Sequence, residues 1–163
     1  MIRPTLPADT DSLIALADAT NVFKPLEIEA LAEVLRDYHS SNHALGHRSI
    51  TFERDGVILG FAYYAPAAMT DRSWYLYWIA VRPDVQARGI GGELLDDVER
   101  EVAQRHGRML FIETSSLPHY DRTRRFYQQH RYELAARLPD FYADGDDMIV
   151  FRKPLFTSAA DRR

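Results

Sequence analysis

The sequence predicts a mixed α/β fold: one central sheet of about six to seven strands with about four helices, in the order β-α-α-β-β-β-α-β-α-β-β. Three observations carry this. An aromatic, β-branched run from Trp74 to Val81 passes through a glycine-rich turn into an amphipathic helix. Asp55-Gly56, set between two apolar runs, signals a tight hairpin. Two helical patterns in succession near the start, and two strands in succession at the end, break the strict alternation of a doubly wound sheet.

Taken in order, Ile2-Arg3-Pro4 reads as a short first strand. Asp9 or Thr10 is placed to cap a first helix whose apolar side holds Leu13, Leu16 and Ala17. A second helix begins near Pro25, since proline is tolerated in a first turn, and carries Ile28, Leu31, Val34, Leu35 and Tyr38. Ser49 to Arg54 and Val57 to Tyr64 are strands around the hairpin turn, and a loop around Pro66 to Arg72 leads to Trp74 to Val81, which reads as a buried strand. In the third helix Leu94, Leu95, Val98 and Val102 recur at helical spacing, while Glu93, Asp96, Asp97, Glu99 and Arg100 fill the other face. His106-Gly107 ends it, with the glycine expected in the left-handed conformation. A strand to about Thr114 and a helix near Asp121 to His130 follow. Tyr132 to Leu138 and Asp147 to Lys153 then form an antiparallel pair joined by a loop at Asp140 to Asp146. One domain is expected over residues 1–156, with a loose tail over 157–163.

The 163 residues allow a substantial core, and 46% hydrophobic residues suits an ordinary globular domain. Zero cysteines exclude a disulfide scaffold, a cysteine nucleophile and a cysteine-ligated zinc site. His39 and His43 have metal-ligand spacing but no third ligand nearby, so no metal is expected. No basic segment followed by an apolar run opens the chain, and no stretch approaches the ~20 apolar residues that cross a bilayer. A cytoplasmic location and no membrane partner are therefore expected. The net charge of −4 and pI near 5.8 give no basic footprint for nucleic acid.

The glycine-rich turn carries the functional signal. Gly89, Gly91 and Gly92 let the backbone curl closely around a ligand, and the following helix adds the positive end of its dipole, a combination that favours phosphate or pyrophosphate. A Walker loop requires a lysine and a hydroxyl that are missing here, and a dinucleotide fingerprint requires a third glycine where Leu94 stands. Gln86-Ala87-Arg88-Gly89-Ile90-Gly91 instead fits the pattern Gln/Arg-x-x-Gly-x-Gly/Ala. It resembles the acyl-CoA pyrophosphate loop of the GNAT N-acetyltransferases. The resemblance extends to Ile79-Ala80-Val81-Arg82-Pro83, to Met109 through Thr114 and to Arg124 through Tyr132, and covers nearly the whole chain from Ile2 to Leu155.

This resemblance implies the GNAT fold, acetyl-CoA as co-substrate, and acetyl transfer to a primary amine of a small molecule or peptide by direct attack in a ternary complex. It implies that the backbone of Ile79, Ala80 and Val81 runs beside the pantetheine arm, with an N–H at Ala80 or Val81 polarising the thioester oxygen. Gln86, Ala87, Arg88, Gly89, Ile90, Gly91 and Gly92 would hold the pyrophosphate. Tyr127 matches the family's acid tyrosine, and a phenol titrating near ~10 keeps its proton at neutral pH. Its alternative role is to pack its helix onto the sheet. Glu113 stands where some members place the carboxylate that deprotonates the amine; a glutamate facing solvent or pairing with an arginine is the alternative. No acidic residue occurs between Trp74 and Val81, where other members carry that base. Tyr120 or a neighbour falls where many members have a CoA-contacting asparagine, and Arg131-Tyr132 replaces the usual Gly-Phe. Arg122, Arg124 and Arg125 face either the 3′-phosphate end of CoA or solvent.

The acceptor is less legible. The resemblance points to Asn21 through Lys24 and to Phe141 through Asp147 as its walls. Asp144, Asp146 and Asp147 would attract a cationic amine, or Lys24 or Arg72 a carboxylate, or the acidic turn is simply surface. A non-catalytic acyl-CoA binding or sensing module, and a nucleotide-binding protein with an unusual phosphate loop, are the competing readings. Exposed strand edges leave room for a homodimer.

Overall fold

Seven strands and four α-helices form among the residues that the computed structural model describes, Met1 to Leu155. The expected tail at 157–163, and residue 156 of the expected domain, lie outside the described residues. In chain order the elements are β1 (Ile2–Pro4), α1 (Thr10–Ala19), α2 (Pro25–Tyr38), β2 (Arg48–Arg54), β3 (Val57–Pro66), β4 (Ser73–Val81), α3 (Ile90–Gln104), β5 (Met109–Ser115), α4 (Asp121–Gln129), β6 (Glu133–Ala143) and β7 (Asp146–Pro154). This is the expected order. The strands make one mixed sheet, β1-β2-β3-β4-β5-β7-β6, antiparallel at β1–β2, β2–β3, β5–β7 and β6–β7 and parallel at β4–β5.

The chain divides into two compact units, Met1–Pro66 with Leu76–Val98, and Ala67–Tyr75 with Glu99 onward. In the first, α1 and α2 bury Leu13, Leu16, Ala17, Leu31, Leu35 and Tyr38 together with Phe61 and Tyr63 of β3 and Ala80 of β4. Each of these leucines, and Phe61, contributes roughly 1.5–3 kcal/mol by leaving water. Gly60 points to the other face of β3, where a Cβ would lie 3.0 Å from a Leu94 methyl and 3.0 Å from the Ala80 carbonyl oxygen. The missing side chain seats the first turns of α3 against the sheet. The Asp55-Gly56 turn forms as expected, with both residues at positive φ (53° and 74°), which matches the twist of a two-residue hairpin.

In the second unit β5 runs beside β7, and β7 beside β6, while α4 packs through Tyr127 onto Phe151 of β7. Lys153 ties this unit together by an ion pair with Glu99 (2.8 Å) and a hydrogen bond to the His130 carbonyl.

Four expectations are corrected. Asp9 does not cap α1: its carboxylate accepts the Leu6 N–H at 2.8 Å and the Arg3 guanidinium at 2.7 Å, fastening the 3-10 turn before the helix. The left-handed residue after α3 is His106 (φ 62°), while Gly107 is needed for space, since a Cβ there would stand 2.3 Å from Val102 Cγ1. The β4 strand is only partly buried, with Tyr77 49% exposed, because its aromatic content does not set which face is covered. Finally, Asp140 to Asp146 is not a loop. The β6 strand continues to Ala143, and Asp144-Gly145 makes a two-residue turn with Gly145 at φ 79°. Between Leu138 and Ala143 the strand carries an outward bulge, opposite only Met148 to Asp146 of β7.

Candidate functional site

The glycine segment sits where β4 hands over to α3. The Arg82 N–H donates to the Leu59 carbonyl at 2.8 Å, a 3-10 turn covers Pro83–Val85, and the Gln86 side-chain amide donates to the Val81 carbonyl at 3.0 Å. Gln86 therefore fastens the loop back onto the end of β4 rather than standing out toward a ligand. Ala87 (φ 64°) and Gly89 (φ 85°) both adopt the left-handed conformation that reverses the chain into the helix. Nothing lies within 4 Å of a Cβ built on Gly89, so backbone conformation, not crowding, asks for glycine there.

The first helical bond of α3 runs from the Glu93 N–H to the Gly89 carbonyl at 3.0 Å. That leaves the N–H groups of Ile90, Gly91 and Gly92 without a helical acceptor, at the positive end of a helix that runs 15 residues. Ile90 anchors this end in the core, 2% exposed, while Arg88 and Gly89 are exposed and Gly91 and Gly92 partly so. Convergent backbone donors with open space before them fit a pyrophosphate. The parallel register of β4 with β5 sets Ser73–Tyr75 against Met109–Phe111.

In the second unit, Tyr127 is 3% exposed and its ring touches those of Phe126, Tyr132 and Phe151, with centroids 5.4, 5.8 and 5.9 Å away. Among the described residues its hydroxyl has no hydrogen-bond partner. Burial pushes the phenol well above its ordinary range. Tyr120, seven residues earlier, is also buried (5%) and stands immediately before α4.

Glu113 pairs in register with Val150, whereas Ile112 pairs with Phe151, the residue that Tyr127 covers. Successive residues of a strand face opposite ways, so Glu113 and Tyr127 lie on opposite faces of the second unit's sheet. The Glu113 side chain is exposed yet crowded enough that loss of water contact raises its carboxyl above the ordinary carboxylate range.

Several expected ligand contacts have other duties. Arg124 donates to the Ser115 and Leu117 carbonyls and pairs with Asp121, bracing the loop before α4. Asp146 is buried (2%) and accepts the Ser115 hydroxyl. Asp147 takes the Arg137 guanidinium at 2.6 Å and the Asp140 N–H at 2.8 Å, which hold its carboxyl below the ordinary range. The acidic turn is thus largely a fastening of the β6–β7 hairpin. The Tyr75–Phe111 ring pair beside Glu113 (centroids 6.0 Å) has no signature in the sequence, because the parallel register that joins β4 to β5 leaves no local pattern. Among the described residues no cluster of histidine, aspartate and glutamate is arranged to hold a metal ion, and no helix is long and apolar enough to cross a membrane.

Residues 13–132 match the family model described as the acetyltransferase (GNAT) family. A protein assigned to that family from Desulfovibrio desulfuricans superposes with a TM-score of 0.92 at 34% identity, covering 96% of this chain and 99% of that one. An aminoglycoside 6′-N-acetyltransferase complexed with coenzyme A shares the fold (TM-score 0.78, 18% identity, 97% and 98% covered). Among curated sequences, an amino-acid acetyltransferase of Azotobacter vinelandii is 31% identical over 82% of this chain. The chain spans 30% of that relative's length.

Proposed function

From the premise that the chain belongs to the GNAT acetyltransferase family, we propose that it is an acyl-CoA-dependent N-acyltransferase that moves the acetyl group of acetyl-CoA to a primary amine of a small molecule or peptide by direct attack in a ternary complex. The observation that carries this reading is the cradle at Gly89 to Gly92, whose free N–H groups and helix dipole suit the pyrophosphate of a coenzyme. Ile79, Ala80 and Val81 would line the pantetheine arm, and Tyr120 would contact the coenzyme.

Amine attack needs a nitrogen lone pair. Glu113, on the sheet face opposite Tyr127, takes a proton from the incoming ammonium before the amine reaches the acetyl carbon, a role favoured by a carboxyl held above its ordinary range. The nitrogen then bonds to the acetyl carbon, and the negative charge that develops on the thioester oxygen is met by an N–H at Ala80 or Val81; one such donor is worth roughly 10²–10³ in rate. As the C–S bond breaks, the sulfur leaves as a thiolate and Tyr127 gives it a proton. Since a phenol is a weaker acid than a thiol, the phenolate is refilled at once by the second proton, which the attacking nitrogen sheds as the amide forms. Glu113 discharges its proton to solvent, and the net products are amide, free thiol and one proton.

Thiol release from acetyl-CoA, measured against a panel of amino acids, polyamines, aminoglycosides and peptides with a no-acceptor control, tests the reading. The expected result is acceptor-dependent release that disappears in Gly89→Trp, a variant whose indole fills the open cradle. Retained acetyl-CoA binding with no release on any amine class would replace the enzyme by an acyl-CoA sensor.

A further inference from the structure

Glu113 is a carboxylate without a counterion: among the described residues no lysine, arginine or histidine pairs with it. Its neighbours on the sheet face follow from the strand register. Val150 lies directly opposite, Phe111 stands two residues along the strand, Tyr75 is beside Phe111 on β4, and Arg152 is opposite Phe111 on β7. The Tyr75 and Phe111 rings, both partly exposed, meet at 6.0 Å with a 48° tilt. Burial, and secondly the charge of Glu113, raise the Tyr75 phenol, so the carboxylate lies within electrostatic reach of that ring. Arg152 is not available to a ligand anion, because Glu133 accepts its guanidinium at 2.6 Å. Among the described residues the row therefore presents one uncompensated negative charge, two aromatic rings and a valine, and no uncommitted cation.

A ligand that complements this row brings a cation to Glu113 and a flat or apolar body to the rings. We propose that this face selects the acceptor, and that the acceptor is a primary ammonium on an aromatic or apolar alkyl skeleton with no carboxylate beside the amine. The inference rests on the transferase reading above. A neutral or cationic skeleton gains a charge-assisted hydrogen bond at Glu113 and ring contact at Phe111 and Tyr75. An α-amino acid carries its carboxylate one carbon from the nitrogen, and so sets a second negative charge beside Glu113 with nothing on the row to neutralise it. Phe111 and Tyr75 are specificity residues in this account, and Glu113 reads the charge.

The test uses matched pairs of acceptors that differ only in the α-carboxylate: phenylethylamine against phenylalanine, tyramine against tyrosine, agmatine against arginine. Initial rates of thiol release give kcat/KM for each with the wild-type chain, Phe111→Leu and Phe111→Ala. The decarboxylated member of each pair is expected to be preferred by on the order of 10²-fold. Phe111→Ala is expected to raise KM for phenylethylamine about 10-fold, with Phe111→Leu between it and wild type and KM for acetyl-CoA unchanged in both. Equal or better use of the amino acids overturns the proposal, as does an unchanged phenylethylamine KM in a folded Phe111→Ala. If no amine releases thiol, the transferase reading fails and takes this inference with it, so the presence of any release separates the two failures.

Discussion

Removing one oxygen atom from Tyr127 separates its packing from its chemistry. The ring is 3% exposed and touches three other aromatic rings, so Tyr127→Ala, which empties that space, should cost about 3–5 kcal/mol of stability. Tyr127→Phe keeps every ring contact. Because the hydroxyl has no hydrogen-bond partner among the described residues, its loss breaks nothing in the folded state, and stability should stay within about 0.5 kcal/mol of wild type. Catalysis should respond oppositely. If the hydroxyl supplies the leaving-group proton, kcat falls on the order of 10²-fold, equivalent to about 2.7 kcal/mol of barrier, while KM for acetyl-CoA holds. Urea unfolding and steady-state thiol release on the same two variants measure both quantities. Burial raises the phenol in the folded state, so its contribution to stability is complete below an unfolded value of about 10 and is lost as pH rises through the folded one. That loss is confined to alkaline pH and vanishes in Tyr127→Phe. A Tyr127→Phe enzyme with full kcat would refute the assignment of Tyr127 as the acid, and an unstable one would refute the statement that its hydroxyl is unpartnered.

Glu113→Gln should lower activity most at low pH, where deprotonating the amine limits the rate, and should raise the unfolding temperature at pH 7. A carboxyl raised by burial is fully compatible with folding only below its unfolded value of about 4.3, so removing its charge helps the fold at neutral pH; an unchanged or lowered Tm would contradict this. Gly60→Val inserts carbon where Leu94 and the Ala80 carbonyl already stand at 3.0 Å from the Cβ position, so it should cost about 1–3 kcal/mol and raise KM for acetyl-CoA by displacing the start of α3. A normal KM in the folded variant would show that the cradle does not depend on this seating. The Arg3 guanidinium holds the Asp9 carboxyl below its ordinary range, so this pair stabilises the fold above an unfolded value of about 3.9, and the gain is lost as pH falls. Asp9→Asn should be less stable at pH 7 and should flatten the acid limb of a plot of Tm against pH; an unaltered limb would remove Asp9 from that transition.

The elements that the sequence revealed are those whose stabilising contacts leave a local trace. Leu94, Leu95, Val98 and Val102 repeat with the pitch of α3, and all four are buried, so the helix and its glycine-rich entry were legible together. Asp55-Gly56 was legible because positive φ at two successive residues narrows the choice of amino acids. Legibility fails where a side chain's partner lies outside the periodicity of its own element. Asp9 looks like a helix cap until Arg3 is found beside it, and Asp140 to Asp146 looks like a loop until Asp147 is seen to take the Asp140 N–H. The candidate site divides the same way. The anion cradle is a contiguous segment, whereas the surroundings of Glu113 come from β4, β5 and β7 and depend on registers that no spacing encodes.

The bulge in β6 has an evolutionary corollary. Pro139 to Tyr142 project from the hairpin, while the Asp147 carboxylate holds the Asp140 N–H and the Asp140 carboxylate holds that of Gly145. The ladder from Met148 to Pro154 against β5 is set independently of how many residues the projection contains. Lengthening a tethered segment of this kind adds only about 0.6 kcal/mol for each doubling. Lineages descended from this architecture can therefore trade residues at the hairpin tip, including the exposed Phe141 and Tyr142, as a module. Glu113, pinned to Val150 farther down the same ladder, keeps its place through such exchanges.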